Sequence, residues 1–311
     1  MNPRPIVIDC DPGVDDAIAL LLAFASPDEF DVVGVSTVAG NVGLDWTSDN
    51  AIRICELADR EDVPVHAGCS GAILRPRSNA QHVHGETGLN GVDLPLPRGN
   101  ISGHHAVDFL IQTCAAQPGK VTLCAMGPLT NVALAIIKDP SIVGNIDEIV
   151  LMGGAIGAGN VTPSAEFNIF VDPHAAAVVF ACGAQLTMIG LDVTHQAIVT
   201  PERLDAVRAI DTSVGCAAAG LLDHYHRVDL ERHGVPGSPL HDPCVIAYLL
   251  RPELFSGRGA FVEVETRSEA TMGRTVVDLW NTTGREHNAT VIERIDADGF
   301  FDLLIERLSR L

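Results

Sequence analysis

Four aspartates stand within eight residues near the start of the chain, in Ile8-Asp9-Cys10-Asp11-Pro12-Gly13-Val14-Asp15-Asp16-Ala17. A short apolar run, Ile6 to Ile8, precedes them, and a long one, Ala17 to Phe24, follows. An apolar β-type run, then Pro-Gly, then a leucine- and alanine-rich stretch reads as strand, tight turn and helix. The carboxylates therefore crowd the carboxyl end of a strand and the first turn of a helix, where open α/β sheets bind ligands. Two like charges about 4 Å apart repel by roughly 4 kcal/mol at an effective dielectric of 20. A helix N-terminus offsets only about 0.3–1 kcal/mol per charge. Either some of these acids carry protons or a cation lies among them, and all-oxygen ligands favour a hard one such as Ca²⁺ or Mg²⁺. A helix cap with surface acids is the plainer alternative, but four acids around one turn exceed what a cap needs. An EF-hand loop does not fit, because Gly13 is fifth rather than sixth from Asp9 and Leu20 stands where the closing Glu belongs.

The 311 residues suffice for two average domains or one large α/β domain. No repeat, low-complexity tract or linker divides them, so one domain over 1–311 is expected. Hydrophobic content of 47% with 5% aromatics predicts a core of Val, Ile, Leu and Ala. A net charge of −20 argues against nucleic acid or an anionic membrane as partner. Lys120 and Lys138 are the only lysines, which leaves little scope for lysine chemistry. Cys10, Cys55, Cys69, Cys114, Cys124, Cys182, Cys216 and Cys244 are scattered, with no C-x-x-C, as free thiols in a reducing compartment are. No secretory signal is recognisable and no apolar run is long enough to span a membrane. A cytoplasmic location is the expectation.

Apolar β-type runs near 5–9, 31–38, 63–66, 120–126, 147–152 and 185–191 alternate with helical patterns over 15–26, 45–59, 104–117, 128–138 and 173–183. That alternation predicts an open, mostly parallel, Rossmann-like α/β sheet with helices on both faces. Phe261 to Glu265 and Thr275 to Trp280 read as later strands, antiparallel at an edge, and 296–310 as a closing helix. Residues 67–100, 153–172 and 223–243 lack apolar period and read as long loops. Such loops in a compact fold are usually functional or disordered.

Further polar groups stand at Ala39-Gly40-Asn41, Glu166-Phe167-Asn168 and Pro239-Leu240-His241-Asp242-Pro243, and Met126-Gly127-Pro128-Leu129-Thr130-Asn131 closes a strand and opens a helix. Asp9-Cys10-Asp11-Pro12-Gly13-Val14-Asp15-Asp16 closely resembles the N-terminal signature of the inosine–uridine-preferring nucleoside hydrolases. The resemblance continues in chain order through Ala39-Gly40-Asn41, His84-Gly85 with Gly88-Leu89, Gly127 to Asn131, Met152-Gly153-Gly154, Glu166 to Asn168 and His241-Asp242-Pro243. One such motif is weak; the set in register over essentially the whole chain is specific.

The resemblance implies Ca²⁺ held by Asp11, Asp16, Asp242 and the carbonyl of Met126, with Asp11 also the general base on a metal-bound water. His241 is similar in position to the family's general acid, which protonates the departing base. Asp15, Asn41, Asn160, Glu166 and Asn168 look like the ribose-binding set, with Met152, Phe167 and His84 lining the pocket. Homodimers or homotetramers, and a place in purine or pyrimidine nucleoside salvage, are likewise what the family implies.

These residue types suit the chemistry. Cleaving a glycosidic bond passes through an oxocarbenium-like sugar that carboxylates stabilise, and the leaving group needs a proton. A histidine of ordinary pKa near 6.5 suits that task at neutral pH. Asp15 and Asn168 can pair with vicinal hydroxyls, so a deoxy analogue would leave buried polar groups unpaired. Glu166 near the 5′ end would repel a phosphate.

Two rivals are weaker. A haloacid-dehalogenase-type phosphatase shares the Asp9-x-Asp11 spacing, but neither Lys138-Asp139 nor Lys120 supplies its phosphate clamp and later acidic pair. A non-catalytic nucleoside- or Ca²⁺-binding protein would lack an acid or a ligand, yet Asp11, Asp16, His241 and Asp242 are all present. Gly157-Ala158-Gly159 has no following Lys-Ser/Thr and is no phosphate loop. His82 with His84, and His224 with His226, read as loop histidines rather than a zinc site. Base preference stays open: Tyr225, within Asp223 to Asp229, can stack on a base, but Val228 and Asp229 supply no second aromatic, and Arg232-His233 follow.

Overall fold

A computed structural model describes residues 2–233 and 237–311. Its first half runs β1 (Arg4–Cys10), α1 (Val14–Phe24), β2 (Phe30–Thr37), α2 (Leu44–Leu57), β3 (Val65–Ala67), α3 (Gln81–His84), α4 (Ala106–Ala116), β4 (Val121–Ala125) and α5 (Thr130–Lys138). Next come β5 (Ile146–Met152), α6 (Phe167–Val171), α7 (Pro173–Ala181), β6 (Leu186–Ile189), α8 (Leu191–Thr194), β7 (Ile198–Val199) and α9 (Pro201–Arg208). The chain closes with α10 (Ser213–His233), β8 (Ser238–Pro239), α11 (Pro243–Leu250), β9 (Phe255–Val264), β10 (Thr275–Asp278), β11 (Ala289–Ile295) and α12 (Ala297–Leu308).

Among the described residues nine strands form one sheet in the order β10-β9-β11-β6-β5-β4-β1-β2-β3. The run from β11 through β6, β5, β4, β1 and β2 to β3 is parallel, whereas β9 is antiparallel to both β10 and β11. The expected α/β architecture, antiparallel edge included, is therefore present. Strand alternation divides the core between the two faces. Ile6, Ile8 and Cys10 of β1 pack with α1 and the helices around it, while Val7 packs with Leu110, Val132 and Val179 from α4, α5 and α7. Every residue of α1 is buried, Asp15 and Asp16 included, and the all-round apolar run from Ala17 to Phe24 requires this of the rest of the helix.

The chain leaves β1 toward β2 and β3 on one side and returns to β4 and β5 on the other, so the order reverses between β1 and β4. Ligands bind outside the carboxyl ends of strands at such a reversal. Asp9 lies there, opposite Ser36 of β2 and Ala125 of β4.

The reading of 223–243 as a loop is corrected over 223–233, which belong to α10. Val214, Ala217, Ala218, Leu221, Leu222 and Tyr225 make a buried stripe at helical spacing, and Asp223 and Arg227 pair four residues apart at 3.0 Å on the outer face. The polar run was one face of a helix. Residues 234–236 of that stretch lie outside the described residues. The strand β11 and the helices α8, α9 and α11 also went unrecognised, and α3 and α6 interrupt the other two supposed loops.

Candidate active site

The turn after β1 is shaped by Asp16. Its Oδ2 accepts from the N–H of Gly13 at 2.9 Å, closing the first turn of α1, and its Oδ1 accepts from the N–H of Asp11 at 3.1 Å. Asn41, in the loop after β2, donates its backbone N–H to Asp11 Oδ2 at 2.6 Å and its side-chain amide to Asp16 Oδ2 at 3.1 Å. Asp9 is fully buried, with Oδ1 accepting from Ser36 at 2.5 Å and from Asn131 at 2.8 Å. It fastens the ends of β1 and β2 to the start of α5.

From the far end of the chain, the N-terminus of α11 brings Asp242 against α1. One oxygen each of Asp15, Asp16 and Asp242 lie within 4.8 Å of one another, and all three residues are buried. Asp11 lies beside this trio through Asn41 and Asp16, and its Oδ1 is buried with no hydrogen-bond partner among the described residues. Burial first, then the like charge of Asp16, raises Asp15 to about 8. Burial raises Asp16 to about 6, against backbone N–H bonds and a hydrogen bond with Asp242 that lower it. Asp11 and Asp242 are raised well above the ordinary carboxyl range, by burial and then by Asp16 and Asp15 respectively.

These residues fit a hard divalent cation. Three oxygens within 4.8 Å of one another are near enough for small side-chain shifts to bring them onto one ion, an orphaned carboxylate oxygen is at hand among the described residues, and positive charge would offset the burial and like charge that raise these carboxyls. Asp15, placed by the resemblance in the ribose set, is a geometric member of the trio, whereas Asp11 stands at its edge. The Met126 carbonyl accepts from the Asn168 side chain at 2.7 Å, which leaves one of its lone pairs open.

Asn168 also donates to the Met152 carbonyl at 3.1 Å and so joins the ends of β4 and β5. Glu166 caps α6: its carboxylate accepts from the N–H groups of Gly154, Asn168 and Ile169 at 3.0, 2.8 and 3.1 Å. Burial nevertheless raises it to about 7. Asn160 is exposed and accepts from the N–H of Phe167, itself half-buried, at 3.0 Å. Residues 153–157 are not a loose loop, since Asp192, Thr275 and Arg274 also hold their backbone.

His84 is buried, accepts from the N–H of Val14 at 3.1 Å through Nδ1, and stacks on Tyr225 at 5.9 Å between ring centroids. Burial lowers its pKa to about 3. Tyr225 is therefore part of the wall behind His84 and 6% exposed. His241 precedes Asp242, and its Nδ1 lies 2.8 Å from the hydroxyl of Thr194. The ordinary pKa expected for His241 is not what its surroundings give: burial, then His195 and His84, lower it to about 3. Thr194 went unnoticed because no local motif marks it; only the contact between α8 and the chain before α11 does.

Residues 6–302 match the family model described as inosine-uridine preferring nucleoside hydrolase. The chain is 49% identical over 308 residues to the pyrimidine-specific ribonucleoside hydrolase of Shewanella woodyi, covering 98% of each chain. Among solved structures, it resembles a purine-preferring ribonucleoside hydrolase from Gardnerella vaginalis with a TM-score of 0.93 at 32% identity, over 98% of each chain. A plant nucleoside hydrolase matches with a TM-score of 0.92 at 32% identity, over 99% of each.

Proposed function

Because the chain belongs to the inosine-uridine preferring nucleoside hydrolase family and is thus an N-ribosyl hydrolase, we propose that it cleaves the N-glycosidic bond of ribonucleosides to ribose and free base in a Ca²⁺-dependent reaction. The observation that carries this reading is the convergence of Asp15, Asp16 and Asp242, with Asp11 beside them, at the strand-order reversal. The match over residues 6–302 supports treating 1–311 as a single catalytic domain.

Asp11, Asp16, Asp242 and the Met126 carbonyl would hold the cation, and the close approach of Asp15 makes it a further candidate. When bound, the ion neutralises the acids and makes a nearby water more acidic. Asp11 takes the proton of the attacking water through its unpartnered Oδ1. Asp15 and Asn168 bind the ribose hydroxyls, and Glu166 and Asn160 keep the segment around Phe167 and Asn168 in place for them. The carboxylates repel a 5′-phosphate, so nucleosides rather than nucleotides are the substrates. His241 meets the leaving base. As general acid, its neutral ring donates from Nε2 to the base as negative charge builds there.

The pyrimidine-specific relative at 49% identity supports uridine and cytidine as preferred substrates. Reducing-sugar release from inosine, adenosine, uridine, cytidine and deoxyuridine, with and without EDTA, tests the whole reading. Uridine and cytidine should lead, deoxyuridine should fail, and EDTA should stop release. Turnover unaffected by exhaustive chelation would overturn the metal's role.

A further inference from the structure

We propose that Thr194 is a positioning residue for this hydrolysis: its hydroxyl donates to Nδ1 of His241 and holds the imidazole with its proton on Nε2, the nitrogen that meets the departing base. The inference rests on the reading of His241 given above and extends it to a residue with no contact to the reacting atoms.

The hydrogen bond is 2.8 Å long, and Thr194 is fully buried. Among the described residues the hydroxyl has no other hydrogen-bond partner. Were Nδ1 protonated, it would donate to the threonine oxygen and leave the hydroxyl proton with no acceptor in a dry place, which is disfavoured. The arrangement that satisfies both groups has the hydroxyl as donor and Nδ1 as acceptor. A neutral ring then carries its hydrogen on Nε2.

The backbone makes this contact reproducible. Thr194 ends α8, its N–H bonded to the Gly190 carbonyl at 3.1 Å and its carbonyl accepting from Ala197 at 3.0 Å. The residues just beyond it are tied to those just before His241. Leu240 donates to the Ala197 carbonyl at 2.9 Å, and β7 pairs with β8 in the register Ile198–Pro239 and Val199–Ser238. Thr194 and His241, 47 residues apart in sequence, therefore flank a small two-stranded ladder that fixes one against the other. The imidazole of His195 lies beside His241, tilted by 56° with ring centroids 5.8 Å apart, and the threonine hydroxyl holds Nδ1 in the place that a carboxylate often takes beside such histidines.

The test compares Thr194→Val, Thr194→Ser, His241→Ala and the Thr194→Val/His241→Ala double variant on uridine and on nitrophenyl riboside, whose leaving group departs without a proton. Thr194→Val should lower kcat on uridine about 10- to 100-fold with KM little changed, and should spare nitrophenyl riboside. Thr194→Ser should restore uridine turnover, and the double variant should be no worse than His241→Ala alone. Unchanged uridine turnover in Thr194→Val, equal loss on both substrates, or additive losses in the double variant would overturn the proposal. If His241→Ala separates the two substrates while Thr194→Val does not, only the Thr194 role fails. If His241→Ala itself loses both equally, the reading of His241 fails, and this inference with it. Nitrogen NMR of the intact protein gives a readout without any variant: a His241 ring protonated at Nε2 supports the proposal, and one protonated at Nδ1 refutes it.

Discussion

The backbone N–H of Asn41 donates to Oδ2 of Asp11 at 2.6 Å, and the same residue's side chain donates to the Asp11 carbonyl at 3.2 Å and to Asp16 Oδ2 at 3.1 Å. One residue from the loop after β2 thus fixes two acids on either side of the Pro12-Gly13 turn. Replacing it by alanine keeps the backbone donor and removes the side-chain pair. Loss of a group that orients a metal ligand typically weakens the metal about 10- to 100-fold. Asn41→Ala should raise the calcium needed for half-maximal activity by that factor, and saturating calcium should recover most of the turnover. Calcium titration of EDTA-stripped protein measures both.

Gly40 is required by close approach rather than by backbone conformation. A Cβ at that position would stand 2.1 Å from Asp11 Oδ2 and 2.9 Å from Pro128 Cδ. The carboxylate must swing away or the loop must move. A displacement of about 1 Å in a catalytic group can cost 100-fold in rate, so Gly40→Ala should reduce kcat by about that factor or more. Gly71 meets nothing within 4 Å, and Gly71→Ala should leave kinetics unchanged. Steady-state assays of the two variants, with circular dichroism to show that both fold, decide the point.

Far from the site, Arg307 of α12 binds Glu29, ahead of β2, through two hydrogen bonds of 2.9 and 2.6 Å. The guanidinium is 3% exposed and the carboxylate 35%. The hydrogen bond from Arg307 holds Glu29 below the usual glutamate range. A carboxyl lowered in the folded state stabilises above its unfolded pKa, near 4.3, and the contribution fades as pH falls through the folded value. Solvent screens the exposed partner, so Glu29→Gln should cost about 1 kcal/mol or less at pH 7. The difference from wild type should shrink toward pH 3. Urea unfolding at both pH values checks the sign.

The parts of this fold that local pattern specifies were readable from the residues. The apolar run, Pro12-Gly13 and the alanine-leucine stretch gave β1, its turn and α1, and the β-α alternation gave the parallel sheet. What failed depends on distant partners. The helix α10 looked like a polar loop because Asp223, His224, His226 and Arg227 dilute a stripe whose buried members begin nine residues earlier, at Val214. β11 escaped because Glu293 and Arg294 interrupt its apolar run, and its place is set by pairing with β6 and β9. In the site, residue types suggested carboxylate chemistry, but spacing did not reveal that oxygens of Asp15, Asp16 and Asp242 lie within 4.8 Å of one another. Nor could any local signal show that burial depresses His241, or that Glu166 gives its oxygens to three backbone N–H groups.

The same acid cluster makes metal, pH and stability interdependent. Burial raises the folded carboxyls, Asp16 to about 6 and, with the like charge of Asp16 added, Asp15 to about 8, whereas an unfolded aspartate titrates near 3.9. Between these limits the metal-free folded protein holds more protons than the unfolded chain, so its stability falls as pH rises. That contribution is complete below about 4 and is lost as pH rises through about 6 and about 8. The proposed calcium would take the deprotonated cluster, so its stabilising effect should grow over the same interval, reaching about 2.7 kcal/mol at 100 times its Kd. Calorimetric melting of EDTA-treated protein should therefore show a midpoint that drops between pH 5 and 8, with calcium restoring it most at pH 8. A metal-free midpoint that climbs over that range would mean the carboxyls are already ionised and held apart by something other than a cation.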